Sequence, residues 1–141
     1  MTPKARAEKC AAAINAVTRA EPWMGIALVE IDAGCAVMRM EVAAHHANGH
    51  GICHGGVIFI LADSAFAYAC NSRNVSTVAQ HGNISFIAPA QVGDVLTATA
   101  RELSLTGRSG IYDIRVETQD GARVAEMRGM SRAVRGAWIE E

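Results

Sequence analysis

Lysine is almost missing from this chain of 141 residues: 11 of its 13 basic side chains are arginine, they face 14 acidic ones, and the net charge is −1. No basic stripe of the kind that neutralises a phosphate backbone can form, so nucleic acid is not an expected partner. The arginine skew suits bidentate pairing with discrete carboxylates or phosphates, although gene base composition alone produces the same skew. Long apolar runs are missing too. The run Val57 to Ala62 is cut by Asp63, far short of the roughly 20 residues of a membrane span, so no membrane association is expected. Four cysteines, Cys10, Cys35, Cys53 and Cys70, form no CxxC pair, and nothing at the N-terminus resembles a signal peptide. Reduced thiols in a cytoplasm are the expectation. With 50% hydrophobic and 19% charged residues, the chain is expected to fold as one soluble domain spanning residues 1–141.

Thr2-Pro3 supplies a capping hydroxyl and a proline at the first helical position, and Ala7, Cys10, Ala11, Ile14 and Val17 follow at helical spacing. An N-terminal helix over residues 1–20, ending near Pro22, is predicted. Gly25 to Ile31 and Cys35 to Val42, joined at Asp32-Ala33-Gly34, read as a hairpin. The segment Ala43 to Gly56, rich in glycine and histidine, reads as a loop. Val57 to Asn71 lacks Gly and Pro and is apolar nearly all round, the mark of a buried helix. Ser76 to Ala88, Val95 to Leu105, Gly110 to Gln119 and Arg123 to Val134 read as antiparallel strands joined in sequence, with Asp120-Gly121 a two-residue turn. The class is α+β: about six strands curving around one helix, with edges left to cover by dimerisation.

Asp63 breaks the most apolar helix, where a carboxylate is costly to bury unless it is paired, hydrogen-bonded or working. A solvated stripe or a structural pair is the plain alternative. His54-Gly55-Gly56 leads into that helix, and N–H groups at a helix N-terminus can hold a carbonyl oxygen as it becomes negative; a simple turn and cap is the other reading. Asn48 can donate and accept, or serve as a turn residue beside Gly49. His45, His46, His50, His54 and Cys53 invite a zinc site, but glycines interrupt the helical spacing that would align them, so no metal is expected. A Cys53/His54 or Cys53/His50 nucleophilic pair competes with the plainer reading of Cys53 as a small buried residue. Trp23, Phe59, Phe66, Tyr68 and Phe86 could line an acyl pocket or simply fill the core.

Taken together, His46-Ala47-Asn48-Gly49, Cys53-His54-Gly55-Gly56 and the run Leu61 to Asn71 resemble the hotdog-fold thioesterases, most closely the phenylacetic acid degradation thioesterase family. The similarity continues through Gly93-Asp94, Gly107 to Asp113 and Arg128-Gly129. It implies five or six antiparallel strands around one long central helix, a homodimer that joins its sheets, and commonly a homotetramer. It also implies hydrolysis of acyl-CoA thioesters, aryl-acetyl groups favoured, with no cofactor beyond the CoA of the substrate. On that resemblance Asp63 is the catalytic carboxylate, the Gly55 amide polarises the carbonyl, and Asn48 and His54 line the site.

Asp63 lies eight positions after Gly55, about 12 Å along a helix, too far for both to serve one carbonyl within a subunit. A symmetric dimer with antiparallel helices brings them together twice, in two shared sites. Some relatives carry a hydroxyl near the start of the strand after the helix, where this chain has Ala79, Gln80 and His81. Arg108 and Ser109 in the Thr106-Gly107-Arg108-Ser109-Gly110 turn, with Arg73, Arg132 and Arg135, are candidates for holding the CoA phosphates. Three alternatives stay open: a non-catalytic acyl-CoA-binding domain, a thioesterase for other medium-chain or aromatic acyl groups, and a hotdog hydratase, whose hydration motif is not found here.

Overall fold

The computed structural model describes all 141 residues, Met1–Glu141. Thr2 and Pro3 start the chain as predicted: the Thr2 hydroxyl accepts from the Ala5 N–H at 3.1 Å and α1 runs Pro3–Val17. One helix to Pro22 was expected, but the structure has two. Thr18 takes up extended backbone, its hydroxyl donates to Glu21, and α2 restarts over Ala20–Met24 with Pro22 in its first turn, where the missing N–H does no harm. Gly25, at φ 79°, ends α2 in the left-handed region that glycine enters freely.

Strands β1 (Ile26–Asp32) and β2 (Cys35–Glu41) form the predicted hairpin. The loop that follows contains one 3-10 turn, Ala44–His46, and leads into α3, Gly55–Asn71, two residues earlier than its apolar run suggests. The remaining strands are β3 (Thr77–Phe86), β4 (Val95–Thr106), β5 (Ser109–Glu117) and β6 (Arg123–Ala133). All six make one antiparallel sheet in the order β1-β2-β4-β5-β6-β3.

The position of β3 corrects the expectation that the last four strands join in sequence. It lies at the sheet edge beside β6, while β4 pairs with β2. The crossing segment between them is pinned: Val42 N–H donates to the Asp94 carbonyl, Gly93 N–H to the Val42 carbonyl, and Cys53 N–H to the Ala90 carbonyl, each at 2.8 Å. These bonds leave no room for a tight β3–β4 turn. The β5–β6 connection is also longer than two residues; Gly121 (φ 79°) sits in a five-residue loop closed by Thr118 and Ala122.

The sheet's concave face carries Ala36, Met38, Met40, Leu96, Ala98, Ala100, Tyr112, Ile114 and Val116, all buried against Leu61, Ala62, Ala65, Phe66 and Ala69 of α3. Small residues let the helix approach closely, as at Gly129 of β6, which lies under Phe66 of α3. A Cβ at Gly129 would lie 2.7 Å from the Phe66 ring. The far end of α3 is tied down by Asn71, which donates to the Ala67 and Thr77 carbonyls and accepts from the Thr77 N–H and the Trp138 indole.

Candidate active site

At the N-terminus of α3, His54 adopts extended backbone and its Nδ1 accepts from the Gly56 N–H at 2.8 Å. Val57 and Ile58 N–H donate to the His54 carbonyl. Of the first N–H groups of the helix, Gly55's is therefore left without an acceptor in the chain, at the positive end of the helix dipole. His54 was singled out as a site-lining residue; its ring is turned back as the helix cap, and it is exposed.

Gly55 opens onto a cleft of about 420 Å³ lined by Asn48, Ile52, Cys53, Ile58, Phe86 and the chain to Pro89. The Oδ1 of Asn48 accepts from His50 N–H at 2.9 Å and from Ile52 N–H at 3.3 Å. That fixes the amide's orientation and leaves the Nδ2 donors unused beside the same cleft. Asn48 is thus a turn residue and a free donor at once. Cys53, also at this cleft, is buried, and burial pushes its thiol up to about 11, so no thiolate nucleophile forms there. The histidines do not converge: His46 is buried with Nδ1 accepting from the Ala43 N–H, and His45, His50 and His54 are exposed.

Asp63 lies further along α3, half-buried, in a separate cleft of about 300 Å³ lined by Phe59, Ala79, Gln80, His81, Gly82 and Met127. No side chain or backbone donor of this chain bonds its carboxylate. Burial raises its proton affinity above the usual carboxylate value, and the negative charge of Glu21 adds to the rise. Glu21, which the sequence did not single out, is held by the hydroxyls of Thr18 and of Ser64, the neighbour of Asp63, the latter at 3.2 Å. It also raises the Tyr68 phenol, pushed up to about 12 chiefly by burial, whose hydroxyl donates to Asn15 at 2.5 Å. A Glu on a short surface helix gives no sequence signal; only its contact with Ser64 does.

The two clefts share no residue within one chain, so Gly55 and Asn48 are apart from Asp63, as the helix arithmetic requires. Of the aromatics, Phe66 and Tyr68 are fully buried core, Phe59 and Phe86 flank the two clefts, and Trp23 stands 81% exposed on α2. The arginine group lies at the opposite end of α3. Arg73 and Arg108 line one narrow cleft with Cys70, Thr77, Tyr112 and Ser131. Arg73 is already engaged in a bidentate pair with Glu102 at 3.0 and 3.1 Å. Arg108 and Arg132 are exposed and form no ion pair, and Ser109 faces Arg132 across the β5–β6 ladder.

No helix is long and apolar enough to cross a membrane. Residues 50–125 match the family model described as "Thioesterase superfamily". The acyl-coenzyme A thioesterase PaaI of Escherichia coli is 45% identical over 113 residues, covering 80% of this chain and 81% of that protein. A solved structure of the E. coli PaaI protein from the phenylacetic acid degradation operon superposes with TM-score 0.95 at 40% identity, over 96% of this chain and 99% of the other. A variant of the phenylacetic acid degradation protein PaaI from Thermus thermophilus superposes at TM-score 0.78 and 33% identity, over 81% of this chain and 97% of the other. A six-stranded hotdog sheet around α3, and likeness along the length of both chains, agree with the motif match: this chain belongs to the thioesterase superfamily.

Proposed function

We propose that the protein hydrolyses the thioester of aryl-acetyl-CoA substrates, of the phenylacetyl or hydroxyphenylacetyl type, to the free acid and CoA, as a single hotdog domain acting in the cytoplasm without a cofactor. The observation that carries this reading is the Gly55 N–H, the donor at the tip of α3 that His54's capping of Gly56 leaves unbonded. A donor fixed there before the reaction stabilises a thioester oxygen as it gains charge, without reorganisation. The Asn48 Nδ2 group adds a second donor at the same cleft. Asp63, whose raised proton affinity suits a base, takes a proton from the attacking water.

The site needs two subunits. Strand β3 is an edge of ten residues with no proline, lysine or carboxylate to discourage pairing, and Val78 and Phe86 on it are more than half exposed. On α3, Gly56, Phe59, Ile60, Asp63 and Ala67 form a stripe that the chain's own sheet leaves partly uncovered. A second copy across a two-fold axis near Phe59 continues the sheet through β3, sets the two α3 helices antiparallel, and places Asp63 of one beside Gly55 of the other. The same operation carries the arginine end of α3 past the Gly55 end, where Arg108, Arg132 and Ser109 can meet the CoA phosphates; Arg73 instead holds Glu102. Pairing of dimers into a homotetramer is proposed on the resemblance to the phenylacetic acid degradation thioesterases.

The test is free-thiol release from phenylacetyl-CoA, a short aliphatic acyl-CoA and a long-chain acyl-CoA, with Asp63→Ala beside the parent. Preferential aryl-acetyl turnover, lost in the variant, is expected. Turnover confined to an aliphatic substrate overturns the substrate class, and no release from any of the three overturns the enzyme reading in favour of acyl-CoA binding.

A further inference from the structure

We infer that His46 is the positioning residue of the loop that presents Asn48 and leads into Gly55, an inference that rests on the reading of those two groups as donors to the thioester oxygen. His46 is 2% exposed, the only one of the four loop histidines that is buried. It ties the loop at both ends. Its Nδ1 accepts from the Ala43 N–H at 3.0 Å, just after β2, and its carbonyl accepts from the His54 N–H at 2.8 Å, one residue before α3. Between these ties the Asn48 N–H donates to the Ile52 carbonyl at 2.8 Å, and Ala47 pairs with Cys53. One residue therefore sets the spacing on which both donors of the cleft depend.

The ring does this in one protonation state only. Because Nδ1 accepts, the imidazole proton sits on Nε2, which is buried and has no hydrogen bond; the Met24 carbonyl of α2 lies on that side without accepting from it. A protonated ring carries N–H on both nitrogens, so its Nδ1 would face the Ala43 N–H donor against donor. No carboxylate is placed to offset the charge. Glu41 is exposed, and the Asp94 carboxylate, on the segment bonded to Val42, is taken by the Gln91 N–H and the Gln119 amide. Its own turn brings His45, ring centroid at 4.3 Å, whose charge repels a second one. Burial first, and then His45, hold the proton affinity of His46 below the ordinary imidazole value of 6.5. To take a proton the ring must leave its site, which breaks the Ala43 tie and frees Asn48 and Gly55 from their fixed separation. The open loop binds the proton more tightly than the closed one, so closure is at full strength above 6.5 and weakens as pH falls below it.

The experiment compares His46→Asn, His46→Leu and Gly55→Pro with the parent, by thiol release from phenylacetyl-CoA across pH and by thermal midpoint. An asparagine Oδ1 stands where Nδ1 does and accepts from Ala43 at every pH, while leucine fills the site and leaves that N–H unpaired. Well above the imidazole range, His46→Asn should keep the parental kcat. His46→Leu should lose about 10- to 100-fold in kcat with KM little changed, the loss that misplaced catalytic groups produce. In acid the parent's log kcat/KM should fall with a slope of about two, one proton on Asp63 and one on His46, and that of His46→Asn with a slope of about one. His46→Leu at parental kcat, His46→Asn as slow as His46→Leu, or the parental slope in His46→Asn overturns the assignment; if His46→Leu does not fold, the slope decides alone. A fully active Gly55→Pro fails the donor reading and this inference with it, whereas a slow Gly55→Pro beside a fully active His46→Leu overturns the His46 role alone.

Discussion

Replacing Gly55 by proline removes the amide hydrogen to which the oxyanion role is assigned and sets the ring's Cδ in its place. The position tolerates it. Gly55 is the first residue of α3, where a proline's fixed φ suits the helix and its missing N–H breaks no intrahelical bond. His54, the residue before, already has extended backbone (φ −61°, ψ 135°), as a residue preceding proline must. A Cβ at Gly55 would meet the Phe86 Cζ at 3.1 Å, but that ring is 54% exposed and free to swing aside. Fold stability should therefore be unchanged or higher by about 0.4–1 kcal/mol, through the stiffer unfolded chain. The chemical step should slow by about 100- to 1,000-fold, or roughly 3–4 kcal/mol, as when one oxyanion-hole donor is lost. Gly55→Ala is the control, since it adds the same Cβ and keeps the N–H. Thiol release from phenylacetyl-CoA at saturating substrate, with calorimetric unfolding of each variant, reads both quantities. A kcat for Gly55→Pro within threefold of the parent refutes the reasoning, as does an equal loss in Gly55→Ala, which would trace the effect to crowding.

Three further outcomes follow from the packing and charges described. Burial and the Glu21 charge both raise Asp63, so the acid limb of kcat/KM should fall above the ordinary carboxylate range, activity being lost as pH drops through it. Glu21→Gln, which keeps an acceptor for Ser64, should move that limb to lower pH; a limb that stays put removes Glu21 from the account. By linkage the raised Asp63 penalises the folded state only as pH rises above its unfolded value, in full above its folded pKa, so Asp63→Asn should stabilise the protein near neutrality, with the gain vanishing as pH falls. Thermal scans across pH check the sign. Gly129→Ala would set a methyl 2.7 Å from the buried Phe66 ring and should destabilise the fold by about 1–3 kcal/mol by denaturant titration; a neutral result would show that α3 can shift on the sheet.

Much of the architecture could be read from local pattern. The absence of Gly and Pro between Val57 and Asn71 marks α3, and alternation marks the strands within one or two residues. Strand order could not be read this way, because alternation says which face is buried but not which neighbour is paired. The edge position of β3 depends on the bonds from Val42 and Cys53 to the 90–94 segment, which are long-range. Asp63 stood out because a carboxylate in an apolar helix needs a reason. Gly55 and Asn48 were visible as types, but their free donors emerged only once His54 and the Asn48 loop showed which hydrogen bonds were already taken. Glu21 was invisible, since its place beside Asp63 depends on a contact across 43 residues.

The central claim is that each site joins Gly55 of one subunit to Asp63 of another. Its most direct test is a heterodimer isolated through two different tags, one subunit carrying Asp63→Ala and the other Gly55→Pro. Each homodimer should be inactive, while the heterodimer should recover about half the parental turnover of phenylacetyl-CoA, because one of its two sites keeps both groups. A heterodimer as inactive as both homodimers would contradict the shared site.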